Sequence, residues 1–211
     1  MFRPQPDNER RPVFRVVTSP GEAEEHLRVI RQAMERSTKF STLSGLSGVV
    51  VGLLALIGCF VTDRIQSLVW DAVAWTAVML LCFVTDFVFT KRRAARVGKH
   101  PRSPLAKHLA RAAAPGFLAG AAFTLFHLLH PAALGTYLYA AWMLCYAGSL
   151  LSVGMFSVRE VSVLGWAFLA AGALTLLIPP HFAFGPRAMM AVTFGGFHVA
   201  YGVYMGNRYG W

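Results

Sequence analysis

Charge is what this chain of 211 residues has least of. Asp, Glu, Lys and Arg together make up 14% of it, against about 25% in soluble domains. Acid is the scarcer sign, with 10 Asp and Glu against 20 Lys and Arg. Cysteine is nearly absent. Cys59, Cys82 and Cys145 form no Cys-x-x-Cys, and an odd number cannot pair fully within one chain. All three sit in apolar stretches and read as small buried hydrophobes. No phosphate loop, zincin motif or nucleophile elbow occurs, so no soluble-enzyme signature is present. No segment alternates with the period of two that a membrane barrel requires.

Apolar side chains fill the space that charge leaves: 55% of residues are hydrophobic and the mean hydropathy is +0.49. Crossing the ~30 Å of a bilayer's hydrocarbon takes roughly 20 mostly apolar residues in a helix. Six windows qualify or nearly do, at 40–61, 68–90, 112–129, 132–156, 161–178 and 188–204. Backbone amides in lipid must be satisfied within the segment, so each window reads as a helix. The expected fold is all-α, a six-helix transmembrane bundle over 40–211. It follows a cytoplasmic segment, 1–39, that holds an amphipathic helix at 19–39.

The basic residues orient this bundle. Eighteen of the 20 Lys and Arg fall on the side of the two termini, leaving Arg64 and Arg187 on the other. The positive-inside rule then puts both termini in the cytoplasm. Eight of the eighteen lie between the second and third spans with no acid among them: Lys91, Arg92, Arg93, Arg96, Lys99, Arg102, Lys107 and Arg111. This basic loop is expected to set topology and touch anionic headgroups. Without aromatic interleaving it is not expected to bind nucleic acid. The apolar stretch starts at Phe40, too late for a secretory signal, so the first span is expected to stay as an anchor.

Before it, Ser19-Pro20-Gly21-Glu22 opens a helix with a cap, an early proline and a capping-box acid. Leu27, Ile30 and Met34 make one apolar face, while Glu24, Glu25, Arg28 and Arg31 lie elsewhere on the surface. Such a helix suits its own bundle, the headgroups or a cytoplasmic protein partner.

Small residues recur four apart. Ser44, Gly48 and Gly52 do so in the first span, Gly116 and Gly120 in the third, Gly202 and Gly206 in the sixth. In lipid this spacing lets backbones approach, either within the chain or between copies in a homo-oligomer. Ser103-Pro104 reads as the true start of the third helix, Pro115 as a kink, and Pro131 and Pro186 as openings of the fourth and sixth. Trp70, Trp75, Tyr137 and Tyr139 at one set of span ends, and Tyr204, Tyr209 and Trp211 at the other, fit interfacial belts. No internal repeat relates the two halves, which weakens a transporter of inverted repeats.

Ionisable residues within spans are functional candidates because burying them is costly. Asp86 is expected to pair with Lys91 or Arg92 at the cytoplasmic boundary. Asp71 lies one turn inside the outer edge of the second span. His127 and His130, three apart and hence on one helix face, could join Asp71 and His181 in an outward-facing metal or proton site. His198 falls mid-span, near Thr193 and Tyr201, and needs a hydrogen-bond partner. A haem ligand is a further role open to it, but its depth differs too much from that of the His pair for both to hold one porphyrin. No cofactor is expected.

Met34-Glu35-Arg36-Ser37-Thr38-Lys39-Phe40-Ser41-Thr42-Leu43-Ser44-Gly45-Leu46-Ser47-Gly48 resembles the lead into the first span of a bacterial family of uncharacterised polytopic integral membrane proteins. The resemblance implies a short cytoplasmic helix followed by several spans. It brings no catalytic residue.

The reading that follows is a non-enzymatic inner-membrane protein that senses, scaffolds or regulates through its cytoplasmic face. The alternative is a small permease or channel with a path lined by Asp71, His127, His130 and His198. The topology is directly testable. A reporter fused after Trp211 should be active only inside the cell, and a periplasm-active fusion there would reverse the assignment.

Overall fold

The computed structural model describes Gly21 and residues 24–28, 45–96, 104–177 and 185–209. The chain divides into two compact units, Met1–Ser37 and Thr38–Trp211. In the first, Glu24–Arg28 is helical and exposed, with Arg28 paired to Glu25 at 2.7 Å. Most of the expected amphipathic helix lies outside the described residues.

The second unit is all α, with no strand among its described residues. Six of its helices are long and apolar enough to cross a membrane, so the chain is a multi-pass membrane protein with a six-helix bundle. We label them α1 (Gly45–Thr62), α2 (Leu68–Arg96), α3 (Pro104–Leu129), α4 (Tyr137–Gly154), α5 (Arg159–Leu177) and α6 (186–209). The end where α1 starts and α6 finishes is called the near end, and the opposite one the far end.

Several boundaries differ from the sequence reading for local reasons. α2 runs on to Arg96, so Lys91, Arg92, Arg93 and Arg96 stand on its last turns rather than in a loop. Cations there complement the negative end of the helix dipole. Lys99 and Arg102 lie outside the described residues. The fourth span is broken. A single turn, Pro131–Leu134, stops at Gly135, whose φ of 52° is left-handed; α4 starts only at Tyr137. Gly135 is the residue type that takes this conformation without strain. Pro115 is accommodated inside a continuous α3. α6 is composite: Pro186–Met190 and His198–Tyr209 are α-helical, and the seven residues Ala191–Phe197 between them form a π-helix.

The helices pack as two triads. α1 lies between α2 and α6 in one, and α4 between α3 and α5 in the other. Glycine builds the first. Gly45, Gly48 and Gly52 of α1 run antiparallel against Gly206, Gly202 and Gly195 of α6. A methyl group on Gly48 would stand 2.9 Å from the Gly202 Cα, and one on Gly52 only 2.7 Å from the Gly195 carbonyl oxygen. Ser44 lies outside the described residues; Gly45 and Ser47 are the buried small residues next to it. The second triad uses the same device where Gly116 of α3 meets Ser149 and the Cys145 carbonyl of α4, and again where Gly154 of α4 meets Ser162 of α5. Where the triads meet, Trp75, Met143, Phe168 and Met190 form a buried apolar core. The Phe168 ring stands edge-on to Phe194 at 4.9 Å and to Tyr146 at 4.8 Å.

Trp75 and Tyr139 belong to that core rather than to an interfacial belt. Only 5% and 2% of their surfaces are exposed, whereas Trp70 and Tyr137 are exposed as a belt requires. Gly48→Leu should destabilise the bundle by about 3 kcal/mol or more, because overpacking against a rigid backbone cannot relax. Thermal unfolding in detergent checks this. An unchanged midpoint would contradict the contact between α1 and α6.

Candidate functional site

Between the triads the bundle encloses a cavity of about 310 Å³. All six helices contribute to its wall. Along α2 the lining runs from Trp75 to Asp86, eleven residues or about 16 Å of helix. α2 and α3 flank it with few contacts between them, among them the edge-to-face pair Phe83–Phe117 at 4.7 Å. The wall is mostly aliphatic and aromatic, and its polar groups lie in two places.

Towards the far end are Trp75, Thr124 and Trp142. Trp142 donates from Nε1 to Thr124 Oγ1 (2.9 Å), which donates to the Gly120 carbonyl (2.9 Å). Trp75 Nε1 is buried without a hydrogen-bond partner. Towards the near end are Ser47, Asp86, Tyr146, Ser149, His198 and Tyr201. Asp86 accepts a hydrogen bond from the Ser47 hydroxyl at 2.8 Å. That corrects the expected boundary ion pair: among the described residues no cation lies within salt-bridge distance of Asp86. The reason is rotational. Lys91 and Arg92 follow by five and six residues, off the face that Asp86 turns to α1, and both are exposed.

His198 follows the π-helix directly. Its Nδ1 donates to the Phe194 carbonyl at 3.0 Å, since a carbonyl only accepts. In the neutral ring Nε2 is then the acceptor, and the Tyr146 hydroxyl of α4 donates to it at 2.8 Å. Thr193 turns to its own helix at the Met189 carbonyl, so the partner of His198 comes from the other triad. The Tyr201 hydroxyl is buried with no hydrogen-bond partner.

A second polar cluster closes the far end. Asp71, 3% exposed, accepts a short hydrogen bond from the Tyr139 hydroxyl and faces Arg187 across 3.5 Å. Arg187 also donates to the Ile65 carbonyl at 2.8 Å and to the Tyr139 oxygen at 3.4 Å. His127 is buried and donates from Nε2 to the Leu68 carbonyl (3.3 Å), one turn from Asp71 on α2. His130 is not part of this cluster. α3 ends at Leu129, and the backbone of His130, ahead of Pro131, leaves the helix (φ −134°, ψ 64°). Its exposed ring rests on Phe126.

The structure therefore brings Asp71 and His127 together and places His198 apart from them. Along the helices, Trp75, Met143 and Met190 stand between the two groups. His181 lies outside the described residues, and among those described no three metal-ligating side chains gather.

Sequence reasoning missed Arg187, Tyr139 and Tyr146. Arg187 and Arg64 are the two cations on the far side, and Asp71 is an acid at the same depth, so that pairing had a signal. The two tyrosines are seven apart on one face of α4, which marks a stripe and not its polar partners. No protein-family model, curated protein or solved structure matches this chain.

The Tyr146–His198 bond can be tested without a ligand. His198→Leu should cost about 1–3 kcal/mol by stranding the Tyr146 hydroxyl, and His198→Asn less. Adding Tyr146→Phe to His198→Leu should recover most of the loss, as a double-mutant cycle in thermal unfolding would show. Additive losses would mean that the two residues do not interact.

Proposed function

We propose that this protein binds a small molecule with a long apolar part, drawn from the bilayer, and that it senses or regulates without catalysing a reaction. The cavity between the triads carries the reading. Its volume falls at the lower edge of small-ligand sites, roughly 300–1,000 Å³, and it shares their make-up: an apolar wall with a few convergent polar groups. Trp75 Nε1 and the Tyr201 hydroxyl are buried polar atoms on that wall with no hydrogen-bond partner among the described residues. Buried donors normally have partners, and a ligand supplies them. The sparse seam between α2 and α3 offers a route from lipid.

We further propose that the near end faces the cytoplasm of a bacterial cell and that the chain sits in the inner membrane. The charge asymmetry and the resemblance around Met34–Gly48 support this. On that side a network crosses from one triad to the other. Arg93 of α2 donates to the Tyr209 carbonyl of α6 at 2.6 Å; the Tyr209 hydroxyl donates to Glu160 of α5 at 3.1 Å; Arg208 lies 3.6 Å from Glu160. A ligand that spreads the triads loads these contacts, giving occupancy an effect on the face where a cytoplasmic partner would dock. The permease alternative has less support, because the Asp71 cluster and His198 are separated by the apolar core.

The test uses fluorescence in lipid nanodiscs. With Trp70→Phe, Trp166→Phe and Trp211→Phe, only Trp75 and Trp142 remain to report. Brominated dodecanol should then quench them with saturation. Gly120→Phe should abolish the saturable part, since Gly120 lines the cavity and a Cβ there meets only the Cys145 Cβ at 3.7 Å, leaving the larger ring the cavity to fill. Quenching that stays linear with probe, and is indifferent to Gly120→Phe, would reduce the effect to partition into lipid and sink the proposal.

A further inference from the structure

Among the described residues lining the cavity, Asp86 is the only Asp, Glu, Lys or Arg. The groups around it are Cys82 one turn back on α2, the Ser47 hydroxyl from α1, Tyr146 and Ser149 from α4, and His198 and Tyr201 from α6; α3 and α5 present apolar side chains and glycine at this end, Thr124 lying towards the other. Ser47 satisfies part of the carboxylate at 2.8 Å. Ser149 is turned away, donating to the Ala113 carbonyl at 2.9 Å, and Tyr146 is committed to His198. The Tyr201 hydroxyl, buried on the same wall, has no hydrogen-bond partner. A carboxylate in such surroundings needs a positive partner to stay charged, and the described part of the protein provides none.

We propose that the ligand is a cationic amphiphile: an ammonium head at Asp86 and an apolar tail running towards Trp75 and Trp142. This rests on the reading of the cavity as a ligand site and goes further by naming the charge. Three features agree with an ammonium ion. The carboxylate gives a charge-assisted hydrogen bond, and the free tyrosine oxygen gives a second acceptor. The aromatic faces of Phe117, Tyr146 and Tyr201 on the wall suit an organic cation. Hard metal ions fit poorly, because they collect several oxygen ligands, and among the described residues no group of three or more carboxylate, histidine or cysteine side chains gathers at Asp86. The tail side is equally selective. From Trp75 to Met79 and Cys82 the wall along α2 offers no charge to a second polar head, so one end of the ligand is charged and the other is not.

The experiment displaces brominated dodecanol from the full-length protein by dodecylamine, dodecanol or dodecanoate, in nanodiscs of phosphatidylcholine so that the membrane itself carries no net charge. Dodecylamine should compete about tenfold more strongly than dodecanol, and dodecanoate least. Asp86→Asn should remove the advantage of the amine over dodecanol, and saturable quenching by brominated dodecanol shows that the variant is folded. Asp86→Glu should keep the preference. If dodecanol or dodecanoate matches the amine on the unmodified protein, the charge assignment falls while the cavity remains a ligand site. If Asp86→Asn retains the amine preference, Asp86 is not the counter-charge. If brominated dodecanol itself shows no saturable quenching, the ligand site fails first and the charge assignment with it.

Discussion

In hydrocarbon no hydrophobic force drives helices together, so shape has to, and between α1 and α6 the shape is glycine on glycine. Three successive turns of α1 lie directly on backbone of α6. This seam fixes the depth and rotation of both helices together. With α6 pinned, His198 is aimed at α4 and Arg187 at α2. With α1 pinned, Ser47 reaches Asp86. The other polar contacts inherit their geometry from those positions. The π-helix belongs to the same constraint. Each π turn holds more residues than an α turn, so the insertion shifts the face that the second half of α6 presents relative to the first. Gly195 within the π-helix and Gly202 after it both meet α1.

Polar contacts between the triads concentrate at the two ends. At the far end Arg187 and Asp71 hold Tyr139; at the near end Glu160 holds Arg208 and Tyr209. Between them Tyr146 and His198 form a single bridge in an otherwise apolar interface. Ion pairs near helix ends can reach headgroup water and are cheap there, whereas mid-depth pairs must be satisfied by the protein alone. The result is a bundle clipped at both rims and soft in the middle.

The architecture was legible because it is written in consecutive residues. Long apolar windows, proline at span starts, and the glycine stripes Gly48–Gly52 in α1 and Gly202–Gly206 in α6 each announce themselves locally. What sequence does not carry is pairing across the bundle. Asp71 and Arg187 lie 116 positions apart, and Ser47 and Asp86 lie 39 apart; nothing in a hydropathy pattern says which faces meet. His127 and His130 show the converse failure. Their spacing implies a shared face only while the helix lasts, and Pro131 ends it between them. The π turn in α6 also defeats simple periodicity, since counting by 3.6 across Ala191–Phe197 assigns the wrong faces beyond it.

The cavity is least visible in sequence because it consists of what the side chains leave out, and two uses of glycine show that the space is built in. In the α1–α6 seam, glycine brings backbones into contact, and any larger residue collides. Gly120 of α3 does the opposite. A Cβ there meets one neighbour at an ordinary 3.7 Å, so the position would accept a larger side chain, and that side chain would enter the cavity. Ala121 beside it lines the same wall. Membrane helices gain stability by filling such gaps, since every missing contact is lost dispersion energy. Small residues that hold no helix close, placed opposite an unpartnered indole N–H and an unpartnered phenol, forgo that gain. An occupant that restores the missing contacts and the missing hydrogen bonds accounts for both at once, and this joint requirement gives the cavity its weight as a site.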